Sequence, residues 1–310
     1  MSADDEVAAA ADALKRGDLV ILPTETVYGL AADAVNSAAI ARVFEAKGRP
    51  RFNPLIAHVT GREMAAGFAE LAPMAGALIE RFWPGPLTLV LPVTDPTAVC
   101  DLARAGLETV AVRAPAHPRA QAVIRAFGGP VCAPSANRSG RPSPTTYADA
   151  VEETGAFAAA SLDGGPCSVG LESTVVSVLG DRVRLLRPGG LDRAAIEAAV
   201  GGPLLDAEAD VRRSPGRLAL HYAPDAPVRL DAEGPRSGEA YLGFGEAPMG
   251  PMVFNLSPAS DLREAAANLF AMLRAADRLG PSAIAVARIP ETGLGEAIND
   301  RLRRAAGYIG

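Results

Sequence analysis

The fold class follows from Ile21–His58, which reads ILPTETVYGLAADAVNSAAIARVFEAKGRPRFNPLIAH. The stretch begins inside a buried apolar strand, Leu19–Leu22, and continues through a polar turn. Asn36 is a good N-cap residue, and the apolar spacing after it predicts a helix that ends at Ala46. Pro54–Val59 then predicts a second strand. Polar side chains on loops between such rigid elements can be directed into one cleft.

The alternation of helices and strands extends on both sides of this stretch. We predict helices at Asp4–Arg16, Pro73–Phe82, Pro118–Phe127, Thr146–Glu153 and Asp192–Val200, and strands at Leu87–Val93, Thr109–Arg113, Val131–Ala133, Ser173–Leu179 and Arg182–Leu186. The last two strands are expected to form a hairpin across Gly180-Asp181. Together these elements predict an α/β domain, residues 1–202, with a twisted mixed sheet flanked by helices.

A less regular segment, residues 203–227, follows this domain. It contains SPGRLALHYAPDAP, where His221 and Tyr222 lie among residues that break helices and strands, so we interpret it as a linker that docks over another surface. Regular periodicity then resumes, with strands near Val228–Leu230, Ala240–Phe244, Met252–Leu256 and Ala283–Ala287 and helices near Pro258–Leu279 and Gly295–Ala306. This pattern predicts a small Rossmann-like βαβ domain over residues 228–310.

Length and composition limit the class of protein. A chain of 310 residues and 31.8 kDa favours two domains. A net charge of −6 and a pI near 5.3 argue against a dedicated nucleic-acid binder but allow a local basic cleft for a phosphorylated small molecule. Apolar runs such as Leu87–Val93 are far shorter than the ~20 residues of a membrane helix, and MSADDEV lacks an apolar signal core, so we expect a cytoplasmic protein without membrane association. Cys100, Cys132 and Cys167 occur singly, which argues against a zinc site or a disulfide framework, and we expect no metal held by side chains.

The loop after the strand Val131–Ala133 is rich in hydroxyl and amide groups. Ser135, Asn137 and Ser143 lie there among Gly140 and several prolines. Ligands of open α/β sheets bind at strand ends, and such hydroxyls with nearby backbone N–H groups suit phosphate oxygens or ribose. A turn-rich surface loop uses the same residue types, so the loop alone leaves both interpretations open.

Three cationic side chains occupy positions where they could meet an anion. Arg113 and Arg187 each end an apolar strand, and an arginine there can fork onto a carboxylate or phosphate, although a solvated strand end has the same sequence. Lys47 is one of two lysines among 30 Lys and Arg residues; it could act as a point charge on a phosphate or be a solvated helix end. The chain has no GxxxxGK[ST], no GxSxG and no reactive cysteine pattern. This inventory favours phosphoryl or nucleotidyl transfer, which needs mainly positioning and charge neutralisation.

Several motifs occur together in a fixed order: PTETVYGLAADA, KGRP followed by NPL and His58, WPGPLTLVL, PSANRSGRPSPT, GLESTVV, LLRPG, and SPG with HYAP. In this order they resemble the two-domain type of the threonylcarbamoyl-AMP synthase family. The resemblance implies a nucleotidyltransferase that makes L-threonylcarbamoyladenylate and pyrophosphate from L-threonine, bicarbonate or CO2, and ATP. It further implies Mg²⁺ accompanying ATP, and a product passed to the machinery that modifies the adenosine beside the tRNA anticodon. Arg217-Leu218-Ala219-Leu220 departs from the Met-led segment usual between SPG and HYAP.

The resemblance also implies two sets of binding residues. The residues expected to bind L-threonine are Thr26, His58, Arg113, Ala133 and Ser173. The residues expected to bind ATP are Lys47, Arg49, Asn53, Thr109, Ser135, Asn137, Ser143, Arg187 and Tyr222. Lys47 and Arg49 are the expected catalytic residues. Tyr222 matches the linker residue that closes over the nucleotide, so we predict that the linker is a mobile lid that orders on substrate binding.

Two other functions are compatible with parts of the sequence. A carbamoyl-adenylating domain of hydrogenase maturation shares the N-terminal pattern, but such chains carry zinc-finger-like cysteines that this one lacks. An RNA-binding module would grip tRNA directly, but the acidic net charge and an aromatic content of 5% disfavour it. We therefore expect direct tRNA binding to be weak or absent.

Overall fold

Helices and strands alternate through the computed structural model, which describes residues 2–180, 182–207 and 222–307. The helices are α1 (Ala3–Lys15), α2 (Ser37–Lys47), α3 (Arg62–Ala66), α4 (Pro73–Phe82), α5 (Asp101–Arg104), α6 (Pro118–Phe127), α7 (Tyr147–Thr154), α8 (Arg193–Val200), α9 (Leu262–Asp277) and α10 (Gly295–Ala305), with a 3-10 turn at Gly155–Phe157. The strands are β1 (Leu19–Leu22), β2 (Gly29–Asp33), β3 (Ile56–His58), β4 (Leu87–Pro92), β5 (Thr109–Arg113), β6 (Val131–Cys132), β7 (Ala158–Ser161), β8 (Thr174–Leu179), β9 (Arg182–Arg187), β10 (Leu205–Asp206), β11 (Val228–Arg229), β12 (Ala240–Gly243), β13 (Val253–Asn255) and β14 (Ile284–Val286).

Ten strands form one mixed sheet in the order β10-β9-β8-β4-β5-β3-β6-β2-β1-β7. The parallel pairs are β10 with β9, β8 with β4, β5 with β3 and β1 with β7. The antiparallel pairs are β9 with β8, β4 with β5, β3 with β6, β6 with β2 and β2 with β1. The parallel register of β3 and β5 sets His58 beside Arg113, and the antiparallel register of β8 and β9 sets Val175 beside Arg187. The sheet therefore places the predicted site residues His58 and Arg113 side by side on its central strands.

Helices cover both faces of this sheet, as the apolar pattern of β1 requires. Ile21 packs in one core cluster with Ile40 of α2, whereas Val20 packs in another with Leu14 of α1 and Ile124 of α6. Successive side chains of a strand point to opposite faces, so a fully apolar strand needs a layer on each side. This architecture confirms the predicted mixed α/β domain.

The second domain has a four-stranded sheet in the order β11-β14-β12-β13, with parallel pairing throughout. Helix α9 packs against β12, β13, β14 and α10, which confirms a Rossmann-like βαβ arrangement. Its core is shared with the first domain, because Val27 and Leu171 pack in one cluster with Tyr222 and Leu269. Gly170 makes this contact possible: it has φ +73°, and a Cβ there would lie 2.4 Å from the Cα of a residue in α9.

Some elements were not predicted. The sequence predicted no strand between the polar turn and α2, yet Gly29–Asp33 pairs antiparallel with β1. Its alanines favour a helix, and the sheet overrides that local preference. Helices α3 and α5 and strand β7 were also missed. Strand β10 lies inside the predicted linker and pairs with β9, so the first sheet extends past Gly202 to Asp206. Among the described residues, no helix has the length and apolar character needed to cross a membrane.

Candidate active site

The PTET turn joins β1 to β2 and is fixed by its own hydroxyl groups. The Thr24 hydroxyl donates to the carbonyl oxygen of Val27 at 2.6 Å and accepts from the backbone N–H groups of Thr26 and Val27, both at 3.2 Å. The Oγ1 atoms of Thr24 and Thr26 are 2.8 Å apart. Gly29 ends the turn close to the next loop, because a Cβ there would lie 3.1 Å from the Cβ of Ala133. The turn therefore holds the Thr26 hydroxyl in one place near Ala133.

Arg113 ends β5 and is the centre of a buried hydrogen-bond network. Its guanidinium donates from Nε to the Gly85 carbonyl at 3.1 Å, from Nη1 to Thr26 Oγ1 at 2.8 Å and from Nη2 to Glu25 Oε1 at 2.6 Å. Glu25 also accepts from the Ala116 backbone N–H at 3.0 Å. Burial would raise the pKa of Glu25, but the charge and hydrogen bond of Arg113 outweigh it and hold that pKa below its usual range. Glu25 therefore positions Arg113. We had assigned it no role, although its place within the PTET motif was a signal.

His58 lies beside Arg113 and is neutral at physiological pH. Burial, followed by the charge of Arg113, lowers the pKa of His58 to about 3. Its Nδ1 is 3.1 Å from the carbonyl oxygen of Ile56, which can only accept. Nδ1 therefore carries the hydrogen, and Nε2 is left to accept a hydrogen bond from an ammonium or hydroxyl group.

Arg49 and Arg187 give the other part of the site its positive charge. Arg49 donates to the carbonyl oxygens of Asn53 at 3.3 Å and Pro54 at 3.1 Å, and burial lowers its pKa to about 10, so it stays charged at neutral pH. Arg187 donates to the Ser173 carbonyl at 2.8 Å, and burial lowers its pKa as well. Both guanidinium groups are held by the backbone of segments that line the same cavity.

Lys47 has a different position from the one that we predicted. Its side chain is 2% exposed, and its ammonium donates to the backbone carbonyls of Ser135 and Asn137. Burial and the nearby charge of Arg49 hold the pKa of Lys47 well below its usual value. The structure thus places this lysine beneath the loop after β6, where it fixes the loop, rather than in the cavity wall.

Tyr222 and Glu172 line the cavity at the boundary between the domains. Tyr222 is 1% exposed, has φ +63°, and its ring centroid is 5.4 Å from that of Phe270. Glu172 forms an ion pair with Arg301 of α10 at 2.8 Å. We assigned no role to Glu172, although the GLEST motif contains it. His221, the other linker residue singled out, lies outside the described residues.

These side chains surround a cavity with about 510 Å³ of empty space, its open mouth included. The predicted site residues that line it are Thr26, Arg49, His58, Arg113, Ala133, Ser135, Ser173, Arg187 and Tyr222. The remaining lining residues, which were not predicted, are Val27, Pro54, Leu55, Ile56, Pro134 and Glu172. The predicted residues that do not line it are Lys47, Asn53, Thr109, Asn137 and Ser143.

The residues outside the cavity wall have distinct positions. Thr109 begins β5, whereas Arg113 ends it, so about 13 Å of strand separates them and the structure does not bring Thr109 to the cavity. Ser143 lies behind the wall and donates to Glu172. Asn53 and Asn137 each have a buried amide oxygen without a hydrogen-bond partner in the described part of the chain. Among the residues that the structure describes, no group of three or more His, Cys, Asp or Glu side chains is arranged so that it could hold a metal ion.

Two family models together match nearly the whole chain. The model described as Telomere recombination matches residues 12–189, and the model described as Threonylcarbamoyl-AMP synthase, C-terminal domain, matches residues 191–307. The boundary between the two matches lies just after the strand that carries Arg187.

Individual relatives align over both domains. A Bacillus subtilis protein named threonylcarbamoyl-AMP synthase is 40% identical, over 98% of this chain and 94% of its own length. A Pyrococcus abyssi protein of the same name is 41% identical, over 96% of this chain and 93% of its own. The crystal structure of P. abyssi Sua5 complexed with L-threonine matches with a TM-score of 0.90 at 39% identity, over 98% of this chain and 95% of that one. The chain belongs to the threonylcarbamoyl-AMP synthase family.

Proposed function

We propose that this chain synthesises L-threonylcarbamoyladenylate and pyrophosphate from L-threonine, CO2 or bicarbonate, and ATP. The observation that carries the proposal is one cavity with two differently built ends. One end, at Arg113 and His58, presents a cation and a neutral acceptor to a small zwitterion. The other end, at Arg49 and Arg187, presents two cations to a polyphosphate. The relatives that align over the full chain carry the name of this activity.

The threonine end has the donors and acceptors that an amino acid needs. A guanidinium has five N–H donors, and the hydrogen bonds of Arg113 described above use three of them, so two remain for a carboxylate. His58 Nε2 and the hydroxyl groups of Thr26 and Ser173 can take the amine and the side-chain hydroxyl. The P. abyssi relative crystallised with L-threonine supports this choice of ligand.

The ATP end neutralises charge rather than supplying a nucleophile. Arg49 and Arg187 are held by backbone carbonyls and line the cavity, as does Ser135. Tyr222 adds an aromatic surface on the linker side. Fixed cations near a triphosphate stabilise the charge that develops as a phosphate bond breaks, without reorganising during the reaction.

The reaction needs two steps, which join the threonine bound at one end of the cavity to the ATP bound at the other. The threonine ammonium first loses a proton, and the free amine nitrogen then forms a bond to the carbon of CO2 while one C–O π pair becomes the carbamate oxyanion. The nitrogen loses a second proton to solvent, which gives a carbamate. A carbamate oxygen then forms a bond to the α-phosphorus of ATP, and the bond from that phosphorus to the bridging oxygen breaks, so that pyrophosphate leaves with the electron pair. The protein holds two mutually repelling anions in contact, and proximity of this kind can contribute ~7–11 kcal/mol in well-oriented cases.

We infer that Mg²⁺ enters as part of the ATP substrate. Glu172 lines the cavity but is paired with Arg301, and Glu25, which holds Arg113 from behind the wall, is paired with that arginine. Side chains of this kind do not fit a protein-held ion. We therefore assign its coordination to the triphosphate oxygens and water, and derive no step through it.

The product is a reactive mixed anhydride, which requires an acceptor system that takes its threonylcarbamoyl group. We propose that a tRNA threonylcarbamoyl transfer machinery takes it, with little direct tRNA binding by this chain, whose net charge is −6. The hydrogenase-maturation alternative is weaker, because the relatives align over both domains and the three cysteines are buried and unpaired with one another.

Pyrophosphate release by the purified chain tests the proposal. We expect release only when L-threonine, bicarbonate and ATP are all present, and without any RNA. Serine lacks one methyl group and should be the best wrong substrate, because a missing methyl costs only ~1–3 kcal/mol while a site that hydrogen-bonds the hydroxyl rejects valine more strongly. Release that ignores threonine, or that is faster with valine than with serine, would contradict the proposal.

A further inference from the structure

A buried arginine of the second domain reaches the wall of the cavity. Arg301 on α10 is 1% exposed. Its Nε donates to Glu172 Oε2 at 2.8 Å, its Nη2 to the Pro188 carbonyl at 2.9 Å and its Nη1 to Asp300 Oδ2 at 2.5 Å. Its Cζ lies 5.1 Å from the centroid of the Tyr222 ring, within the range of a cation–π contact. One side chain thus contacts three separate segments around the cavity.

Two of these contacts lead directly to residues of the proposed ATP end, Arg187 and Tyr222, and the third leads through Glu172 to Ser143. Ser173 of the threonine end follows Glu172 in the chain. Glu172 lines the cavity and, through its other oxygen, accepts from the Ser143 hydroxyl. Pro188 directly follows Arg187, so the contact from Arg301 fixes the backbone that carries that cation. Tyr222 itself lines the cavity.

The threonine end is organised differently. Arg113 is held by Glu25, Thr26 and Gly85, all from the first domain. No described residue of the second domain hydrogen-bonds to Arg113 or His58. A loss of Arg301 should therefore affect the two ends unequally.

Because Glu172 is negatively charged and lines the cavity, its ion pair with Arg301 is needed for an anion to bind there. Burial would raise its pKa, but Arg301, Arg187 and the Ser143 hydrogen bond together hold the pKa at about 2, so the carboxylate is ionised at neutral pH. An uncompensated buried carboxylate in the wall would repel a triphosphate, and the repulsion would be strong because little water screens it. Arg301 cancels this charge from behind the wall.

We propose that Arg301 is a positioning residue for ATP: it neutralises Glu172 and fixes the segments that carry Ser143, Arg187 and Tyr222. This inference rests on the proposed function, because it takes ATP as the ligand of that end. It gives the second domain a defined part in substrate binding, beyond holding the linker.

Binding measurements on the full chain separate the two ends. Calorimetric titration with MgATP and, separately, with L-threonine would compare the wild type with Arg301→Gln. We expect ATP binding to weaken about tenfold or more, equivalent to about 1.4 kcal/mol, while threonine binding changes less than about twofold. A second variant, Glu172→Gln with Arg301→Gln, removes both charges and should recover most of the lost ATP affinity.

Arg278→Gln is the matched control. Arg278 also joins the domains, through ion pairs to Asp149 and to Glu152 at 2.6 Å, but it touches no residue of the cavity wall. Its ATP affinity should stay within about twofold of the wild type, because sites without shared contacts act almost independently. In an Arg301→Gln protein whose circular dichroism shows that it is folded, equal losses of ATP and threonine affinity or an unchanged ATP affinity would overturn the proposal, as would no recovery in the double variant.

If Arg301→Gln does not fold and so binds no threonine, a variant that keeps the positive charge tests the role of Arg301 instead. Arg301→Lys retains one cation but cannot contact Glu172, Pro188 and the Tyr222 ring together, so ATP binding should weaken about threefold with threonine binding intact. Unchanged ATP affinity in that variant would refute the role. Failure of the proposed function would appear elsewhere, as absent pyrophosphate release by the wild type.

Discussion

Replacing Arg113 with lysine perturbs the threonine end while keeping its charge. The arginine makes three buried hydrogen bonds and keeps two donors for a ligand carboxylate. A lysine ammonium cannot hold Glu25 and a carboxylate in one planar fork. A hydrogen bond to a charged group contributes about 1.5–3 kcal/mol, so losing one should raise the dissociation constant for threonine roughly 10- to 150-fold. Glu25 also loses a partner, which should lower the free energy of unfolding by about 1–3 kcal/mol.

The assay compares KM for threonine with KM for ATP, alongside denaturant unfolding. Arg229→Lys is the matched control: Arg229 also holds a buried carboxylate, Glu239, at 2.5 Å, but in the second domain and outside the cavity wall. We expect that control to lose stability without any change in the threonine requirement. If Arg113→Lys raised both KM values equally, or if Arg229→Lys matched its effect on threonine, the assignment of Arg113 to the carboxylate would be refuted.

Three further perturbations follow from the pKa values and contacts. The pKa of His58 is about 3 in the folded chain and 6.5 ordinarily, so its imidazole is uncharged at neutral pH. Calorimetry should therefore show no inflection near pH 6.5 in the pH dependence of threonine affinity. An inflection there that disappears in His58→Gln would contradict this expectation. The pKa of Glu172 is about 2 in the folded chain and 4.5 ordinarily, so its ionised form contributes roughly 3 kcal/mol to the free energy of unfolding above pH 4.5, and this contribution is lost as the pH falls through 2. In acid unfolding, the Glu172→Gln, Arg301→Gln variant should therefore lose less stability than the wild type between pH 4.5 and 2. An identical loss would count against the pairing. Lys47→Met removes the ammonium that fixes the loop at Ser135, so KM for ATP should rise and the melting temperature should fall together. A lower kcat at unchanged stability would instead indicate that Lys47 contacts phosphate directly.

Where a motif ends a strand, the sequence predicted residues that the structure places in the cavity wall. His58, Arg113 and Arg187 each close an apolar strand, and strand register then forces such ends together. Thr109 illustrates the limit of this reasoning: it belongs to the same strand as Arg113 but to its other end, and period-two alternation says nothing about which end meets the ligand.

What the sequence could not predict are pairings across long separations. Arg301 and Glu172 are 129 residues apart, and no local pattern connects them. The burial of Lys47 against two carbonyls likewise depends on a loop about 90 residues away. The lid hypothesis for residues 203–227 falls mostly outside the described residues; Tyr222, which lies within them, lines the cavity.

The same contacts bear on a chain shortened to residues 1–202. Its main sheet would lose β10, and Glu172 would lose Arg301. The set of helices and strands predicted for residues 1–202 would by itself suggest a fragment that folds independently. The shared core around Val27 and Leu171 indicates that this domain would be left with exposed apolar surface and a buried unpaired carboxylate.

The fate of the carbon in labelled bicarbonate decides whether the cavity joins threonine to ATP through a carbamate. The purified chain would be incubated with carbon-13 bicarbonate, L-threonine and MgATP, and the nucleotide products analysed by mass spectrometry. We predict an adenylate that contains both threonine and the labelled carbon, formed in equal amount with pyrophosphate and absent when threonine is omitted. An unlabelled threonyl adenylate, or AMP and pyrophosphate without any adenylate, would contradict the proposed reaction.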